Sequence, residues 1–277
     1  MAETISKNKG FSIVEMLIFL ALGSLLTAGL YKAFITQNKS YAVQEQVVDA
    51  QQSLRMAVER MNIEMSLAGF GNPKRVLGLT GGVNGFTTVV TPTSTRVTIV
   101  GGFRQIQHTD GTPVLIASTS ANTITLNHPT SEFDGATHKF ISIGGLESFV
   151  VQNQPTGSTT TLTLDEIPTN PVGKCIYKIQ AISYDLGVQD GRSVLRMDDN
   201  TGSGPQVLAD NITSLTFEYF DRSNPPVQTA VPAAIRMIQV AVQGRTERAD
   251  PDYKSEGGYR TRKIESKIYL RNMDANP

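Results

Sequence analysis

Between Phe11 and Tyr31 the chain reads FSIVEMLIFLALGSLLTAGLY, twenty-one residues with a single charged side chain, Glu15. As an α-helix this stretch reaches about 30 Å, the thickness of a bilayer's hydrocarbon core. Apolar all round, it must be buried in lipid or in protein. The preceding MAETISKNKG is short and polar, with Lys7 and Lys9 close to the apolar start, and Lys32 and Lys39 follow the run. A plain signal anchor fits this profile. A cleaved secretory signal fits less well, because the run exceeds the usual ~7–15 residues and no A-x-A-like site follows it. A third reading turns on Glu15. A carboxylate inside a membrane span costs at least ~2.5 kcal/mol, so it marks a function and requires a partner.

Glu15 directly follows Lys-Gly-Phe-Ser-Ile-Val. Here the sequence resembles the precursors of type IV filaments, the type IV pilins and the type II secretion pseudopilins. Lys9-Gly10, Phe11, Glu15 and the apolar stretch Met16 to Leu30 carry the resemblance. It implies cleavage after Gly10 by a prepilin peptidase, N-methylation of Phe11, and a mature chain that keeps its apolar segment. The physical chemistry agrees. The new α-amino group of Phe11 is a cation at the start of an apolar helix. Glu15 lies four residues along that helix, near its own N-terminus and within reach of a neighbouring subunit's. In low dielectric, losing one partner leaves the other charge buried and unpaired. Glu15 is therefore expected to act in assembly. The alternative is a snorkelling carboxylate tolerated at the membrane edge.

The helix is expected to continue beyond the membrane. No Pro occurs before Pro73, although the chain has 13. From Ala42 to Leu67 good helix formers dominate. Val47, Gln51, Leu54, Val58, Met61 and Met65 recur at three- and four-residue spacing, an amphipathic face. Gly69-Phe-Gly71-Asn-Pro73 then supplies a C-cap glycine and a stop. This predicts a helix from about Phe11 to Ala68, roughly 85 Å long. Its stripe is too short for a coiled-coil seam and reads as a docking face for a sheet, with Arg55, Glu59 and Glu64 on the solvated side.

After Pro73 the pattern becomes β. Strands are expected over Arg96–Val100, Asn122–Leu126, Lys139–Ile143, Ser148–Val151 and Thr159–Leu164. Gly81-Gly82, Gly101-Gly102, Gly144-Gly145 and Pro155-Thr-Gly157 read as punctuation. Longer strands follow at Cys175–Leu186, Ser214–Asp221, Ile235–Gln243 and Arg262–Arg271. In the last, Ile264, Ser266, Ile268 and Leu270 share a face while Glu265 and Lys267 point away, as suits a sheet with one face covered by the helix. The expected class is α+β: a pilin-like fold, a long N-terminal helix packed on an antiparallel sheet with a β-rich middle insertion. The expected divisions are a prepilin leader (1–10), a membrane or filament-core half of the helix (11–35), an amphipathic half (36–72) and a β-rich head (73–277), within which about 80–170 is a variable elaboration.

The C-terminal half extends the resemblance. The stretches Tyr184 to Arg196, Val207 to Asp221, Ala233 to Val242 and Tyr259 to Asn272 resemble minor pilins of the PilW type and the pseudopilin GspJ. So does the helix end from Gln51 to Gly69. The resemblance is poor between about 75 and 175. PilW-type proteins often carry additional cysteines; this chain has only Cys175.

Composition bounds the function. With 277 residues the chain makes one large domain or two modest ones, and 25 basic against 25 acidic residues argue against a general nucleic-acid binder. One Cys excludes an intramolecular disulfide and a Cys-based zinc finger. His128 and His138, the histidine pair nearest in sequence, lie ten residues apart and read as surface-loop residues; zinc sites favour tighter spacing and more ligands. Cys175 reads as a buried, inert thiol. Asp198-Asp199-Asn200-Thr-Gly202 lacks the spacing and closing Glu of a calcium loop and reads as a turn. No phosphate loop is present. Arg245, Arg248, Lys254, Arg260, Arg262 and Lys263 are interleaved with acidic residues and read as a solvated loop rather than a DNA site.

These readings describe a non-enzymatic minor pilin of the PilW type without cofactor or metal. The resemblance implies that it helps prime filament assembly at the inner membrane, in a tip complex, with its head in the periplasm. The implied partners are the prepilin peptidase, other minor pilins, the major pilin and the inner-membrane assembly platform. A GspJ-type pseudopilin is the alternative. A membrane-anchored exported enzyme or carbohydrate-binding domain is a third class, one needing a convergent polar pocket that the sequence does not reveal.

Overall fold

The computed structural model describes residues 12–133, 138–153 and 158–273. The chain forms two compact units, Met1–Val48 and Asp49–Pro277. The described part of the first unit is helical almost throughout, because α1 (Ile13–Ser66) begins there. Its apolar side chains are exposed, Ile13 at 81% and Phe19 at 77%. A helix satisfies its own backbone hydrogen bonds, the condition an apolar surrounding imposes.

In the second unit the last turns of α1 acquire one buried stripe, Leu54, Ala57, Val58, Met61 and Met65. Two sequence readings need correction. Gln51 is exposed, its amide staying in water at the edge of the stripe. Glu64 is not on the solvated side: its side chain is 16% exposed.

The elements that follow are α2 (Lys74–Leu77), β1 (Val90–Pro92), β2 (Arg96–Gln105), β3 (Ile116–Ser120), β4 (Thr123–Thr130), β5 (Phe140–Ile143), β6 (Glu147–Val150), β7 (Thr159–Thr163), β8 (Ile176–Gln189), β9 (Arg192–Asp198), β10 (Gln206–Asp210), β11 (Ile212–Phe220), β12 (Met237–Arg245) and β13 (Thr261–Tyr269). They make three antiparallel sheets. In the largest, β8 pairs along one side with β2, which carries β1. Its other side pairs with β5 near its start and β9 near its end; β6 and β10 extend these. The second sheet is β11-β12-β13 and the third β3-β4-β7. This long helix followed by antiparallel sheets is an α+β, pilin-like arrangement.

The α1 stripe shares a core with Val97 and Ile99 of β2, Tyr184 of β8, Phe217 of β11, Val240 of β12 and Ile268 of β13. The third sheet builds a separate core from Ile116, Ile124, Leu126 and Leu162 with Ile141 and Ile143 of β5. The expected alternation in β13 appears: Ile268 and Leu270 are buried, and the Ser266 hydroxyl donates to Asn62 Oδ1 of α1 at 2.9 Å.

Gly101 and Gly102 are a third correction. They lie inside β2, not in a turn. The turn ending α1 runs against them: Gly69 N donates to Val100 O at 2.9 Å, and Gly102 N donates to Phe70 O at 2.8 Å. A Cβ on Gly101 would stand 2.7 Å from the Leu67 carbonyl oxygen. Glycine inside a strand here marks close backbone approach, not a chain reversal. Gly69, with φ +79°, does serve as the left-handed residue after the helix.

Candidate functional site

The first candidate is the start of α1. Gly10 and Phe11 lie outside the described residues. Ser12 is exposed and not yet helical, and Met16 N donates to Ser12 O at 3.1 Å, closing the first turn. Glu15 is exposed in that turn. Among the described residues its carboxylate has no cationic partner; the next charged side chain along the helix is Lys32, about 25 Å further along the axis. The spacing Ser12-x-x-Glu15 also matches a capping box, in which the acid at the third helical position complements the N-terminal dipole. Both residues of this signal stand close together in the sequence, so it is legible there beside the acid's place in the apolar run. Apolar side chains surround Glu15 along the helix, and Ile18 and Phe19 occupy the positions three and four residues on.

The second feature is polar and lies in the second unit. Tyr184 is fully buried, and its hydroxyl donates to Glu64 Oε2. Arg60 completes the group, pairing with Glu64 Oε1 at 3.1 Å and donating to Met197 Sδ at 3.3 Å. Burial, then the Glu64 carboxylate, drives the Tyr184 pKa upward, so the phenol keeps its proton and stays a donor. Tyr219 anchors similarly: its hydroxyl donates to Thr93 O at 2.7 Å and accepts from Thr93 N at 3.2 Å, and burial raises its pKa. These contacts fasten helix to strand and strand to loop.

The remaining sequence candidates are dispersed. His108, not His138, is the neighbour of His128, their rings 4.8 Å apart and tilted by 31°. His108 Nδ1 lies 3.2 Å from Asp110 Oδ1. Hydrogen bonds from Thr112, chiefly, hold the Asp110 carboxyl down at about 2. Among the described residues no three His, Cys, Asp or Glu side chains are grouped to hold a metal. Cys175 is half-buried rather than buried, because it sits just before β8. Asp198 and Asp199 accept from the backbone N–H two residues on, at 2.9 and 3.2 Å, forming Asx turns. In the basic segment Arg260 pairs with Asp250 at 2.8 Å and covers the Tyr253 ring, while Arg245 covers Tyr259. These two guanidinium groups are engaged within the head.

The family model of the prokaryotic N-terminal methylation motif matches residues 5–31, a segment typical of type IV pilins and pseudopilins. No curated protein and no solved structure matches the chain significantly. A motif of this type implies processing by a prepilin peptidase and assembly with other pilins in a membrane system. The apolar helix that carries it fits a membrane-anchored, single-pass protein.

Proposed function

We propose that this carrier of the N-terminal methylation motif is a minor pilin of the PilW type, a structural subunit that helps prime type IV pilus assembly in a tip complex. The observation that carries the reading is the motif at 5–31 running into a helix with exposed apolar side chains and a lone acid in its first turn. The peptidase cuts between Gly10 and Phe11, and the Phe11 amine is methylated. The chain then rests in the inner membrane with its head in the periplasm. Extraction into the filament moves the apolar surface of α1 from lipid to neighbouring helices. There Glu15 meets a Phe11 amine, and the pair satisfies both charges where water is excluded. Other minor pilins, the major pilin and the assembly platform supply the remaining surfaces.

The same processing serves pseudopilins of the GspJ type. The β3-β4-β7 sheet, a layer with its own core added to the helix-bearing head, supports the pilus reading. Two measurements test it. Mass analysis of the native N-terminus should find methylated Phe11; an intact Met1 or Ala2 in assembled filaments refutes the processing. Deleting the gene should abolish surface filaments and leave protein export intact. Lost export with normal filaments assigns the chain to secretion.

A further inference from the structure

The polar side chains of α1 mark where its apolar surface ends. Within the apolar run the Ser24 hydroxyl donates to Ala21 O and the Thr27 hydroxyl to Gly23 O, both at 2.8 Å, so both are satisfied inside the helix. After Glu15, the first polar groups that the helix leaves unmet are the Tyr31 hydroxyl and the Lys32 ammonium. Among the described residues neither makes a hydrogen bond or an ion pair within the protein. Tyr31, Lys32 and Phe34 are all exposed. No Asp or Glu occurs between Glu15 and Glu45, so Lys32 and Lys39 are the only charges in that stretch and have no acid nearby along the helix.

The lengths match a bilayer. Tyr31 stands about 30 Å along the axis from Phe11, the thickness of the hydrocarbon core. Tyr31 to Phe34 covers about 4.5 Å more, within the depth of one headgroup layer, about 5–8 Å. Successive residues turn by about 100°, so Tyr31 and Phe34 share one side of the helix and Lys32 stands on another. A seam for one neighbouring helix needs a one-sided stripe. Groups on more than one side at a single depth suit a layer that surrounds the helix.

Each group fits that layer. A tyrosine ring lies against acyl chain while its hydroxyl meets the headgroups. Helical side chains lean toward the N-terminus, so the Phe34 ring reaches back toward the acyl boundary. A lysine stem lies along apolar surface while its ammonium reaches phosphate. We propose that Tyr31, Lys32 and Phe34 form a belt that binds the phospholipid headgroup layer on the head side of the membrane, Lys32 on the phosphate groups, and so fixes the depth of α1. The belt then places Phe11 at the opposite interface and Glu15 about 6 Å from it, where water reaches a carboxylate at less cost than at the bilayer centre. The inference rests on the membrane-anchored reading and is independent of which filament the chain joins.

The chain has no Trp, so one introduced Trp reports its own depth by fluorescence. The test uses the full chain with Tyr31→Trp in phosphatidylcholine–phosphatidylglycerol vesicles that carry a nitroxide quencher at the headgroup or at mid-chain. Stronger quenching from the headgroup is expected, and Leu25→Trp, about 9 Å deeper, should reverse the order. Adding Tyr31→Leu, Lys32→Leu and Phe34→Leu to the Leu25→Trp chain lengthens the apolar run. It should shift that reporter further toward the mid-chain quencher while the chain stays inserted. Energy transfer from the Tyr31→Trp reporter should favour dansyl-labelled phosphatidylglycerol over its phosphatidylcholine analogue, and Lys32→Gln should remove the preference. Stronger mid-chain quenching of the Tyr31→Trp reporter, a Leu25→Trp depth unchanged by the leucine substitutions, or no lipid preference overturns the proposal. So does shielding from both quenchers that grows with the protein-to-lipid ratio, which would assign these residues to a neighbouring helix. Extraction of the wild-type chain by carbonate is a separate failure: it removes the membrane anchor itself, and the belt with it.

Discussion

Gly101→Ala tests the packing of the helix end on β2. The added Cβ would lie 2.7 Å from the Leu67 carbonyl oxygen and 3.3 Å from Gly69 N. Both are backbone atoms, which cannot rotate aside as a side-chain tip does. Either the end of α1 lifts or β2 moves, and overpacking of this kind costs about 1–3 kcal/mol. The movement also loosens the Gly69 N–Val100 O and Gly102 N–Phe70 O bonds. Each buried group stranded this way costs about 1–3 kcal/mol. The loss of unfolded-state freedom returns about 0.4–1 kcal/mol. The net is a destabilisation of about 2–5 kcal/mol, a large share of a typical 5–15 kcal/mol. At about 2–4 °C per kcal/mol for a chain of this size, the melting temperature should fall by roughly 5–15 °C. Gly111→Ala is the control: φ is +84° but nothing lies within 4 Å of its added Cβ, so only about 1 kcal/mol of backbone strain applies. The assay is thermal unfolding of the detergent-solubilised chain, followed by circular dichroism. If Gly101→Ala melts no lower than Gly111→Ala, the close approach does not govern this packing and the argument fails.

Three further outcomes follow from named contacts. Tyr184→Phe leaves the half-buried Glu64 without its phenol donor and should destabilise the head by about 1–3 kcal/mol in chemical unfolding; a change below ~0.5 kcal/mol would remove the tyrosine from the anchor. Glu15→Gln should leave processing near normal yet lower the chain's content in sheared filaments about tenfold or more, since a buried amine loses its counter-ion; wild-type incorporation would make the carboxylate a passenger. The Arg260 guanidinium, first, holds the Asp250 carboxyl below the usual carboxylate range. A depressed folded pKa adds stability that is present above about pH 4 and lost as pH falls through the folded value. Asp250→Asn should therefore melt below wild type at neutral pH, and the two curves should converge in acid; a gap that persists at low pH would sink this assignment.

Glu64 and the glycine pair show why parts of the head escaped the sequence. Glu64 stands three residues after the stripe-forming Met61, so spacing alone puts it beside the buried stripe; its charge reads as solvated, and only the arrival of Tyr184 from β8 supplies the partner that lets it be enclosed. Gly101-Gly102 looks like any reversal signal, because the demand for a missing Cβ comes from Leu67, far away in the chain. His108 and His128 meet for the same kind of reason: the strand that carries one is registered against the loop that carries the other by partners neither residue reveals.

Local chemistry settles what local sequence can announce. The apolar run after Phe11, its single acid and the preceding Gly10 are contiguous, so the methylation motif and the membrane-length helix were legible without a fold. The same holds for the three-and-four spacing of Leu54, Val58, Met61 and Met65, and for the alternation along β13, since helix and strand periods act over a few residues. Tertiary structure alone decided which strands became neighbours. Pairing brings Thr125 beside Ser118 and Thr161, lays Gly102 against Phe70, and closes Tyr184 over Glu64. Those choices depend on registers set by burial across the whole head, where a slip of one residue would turn every side chain to the other face.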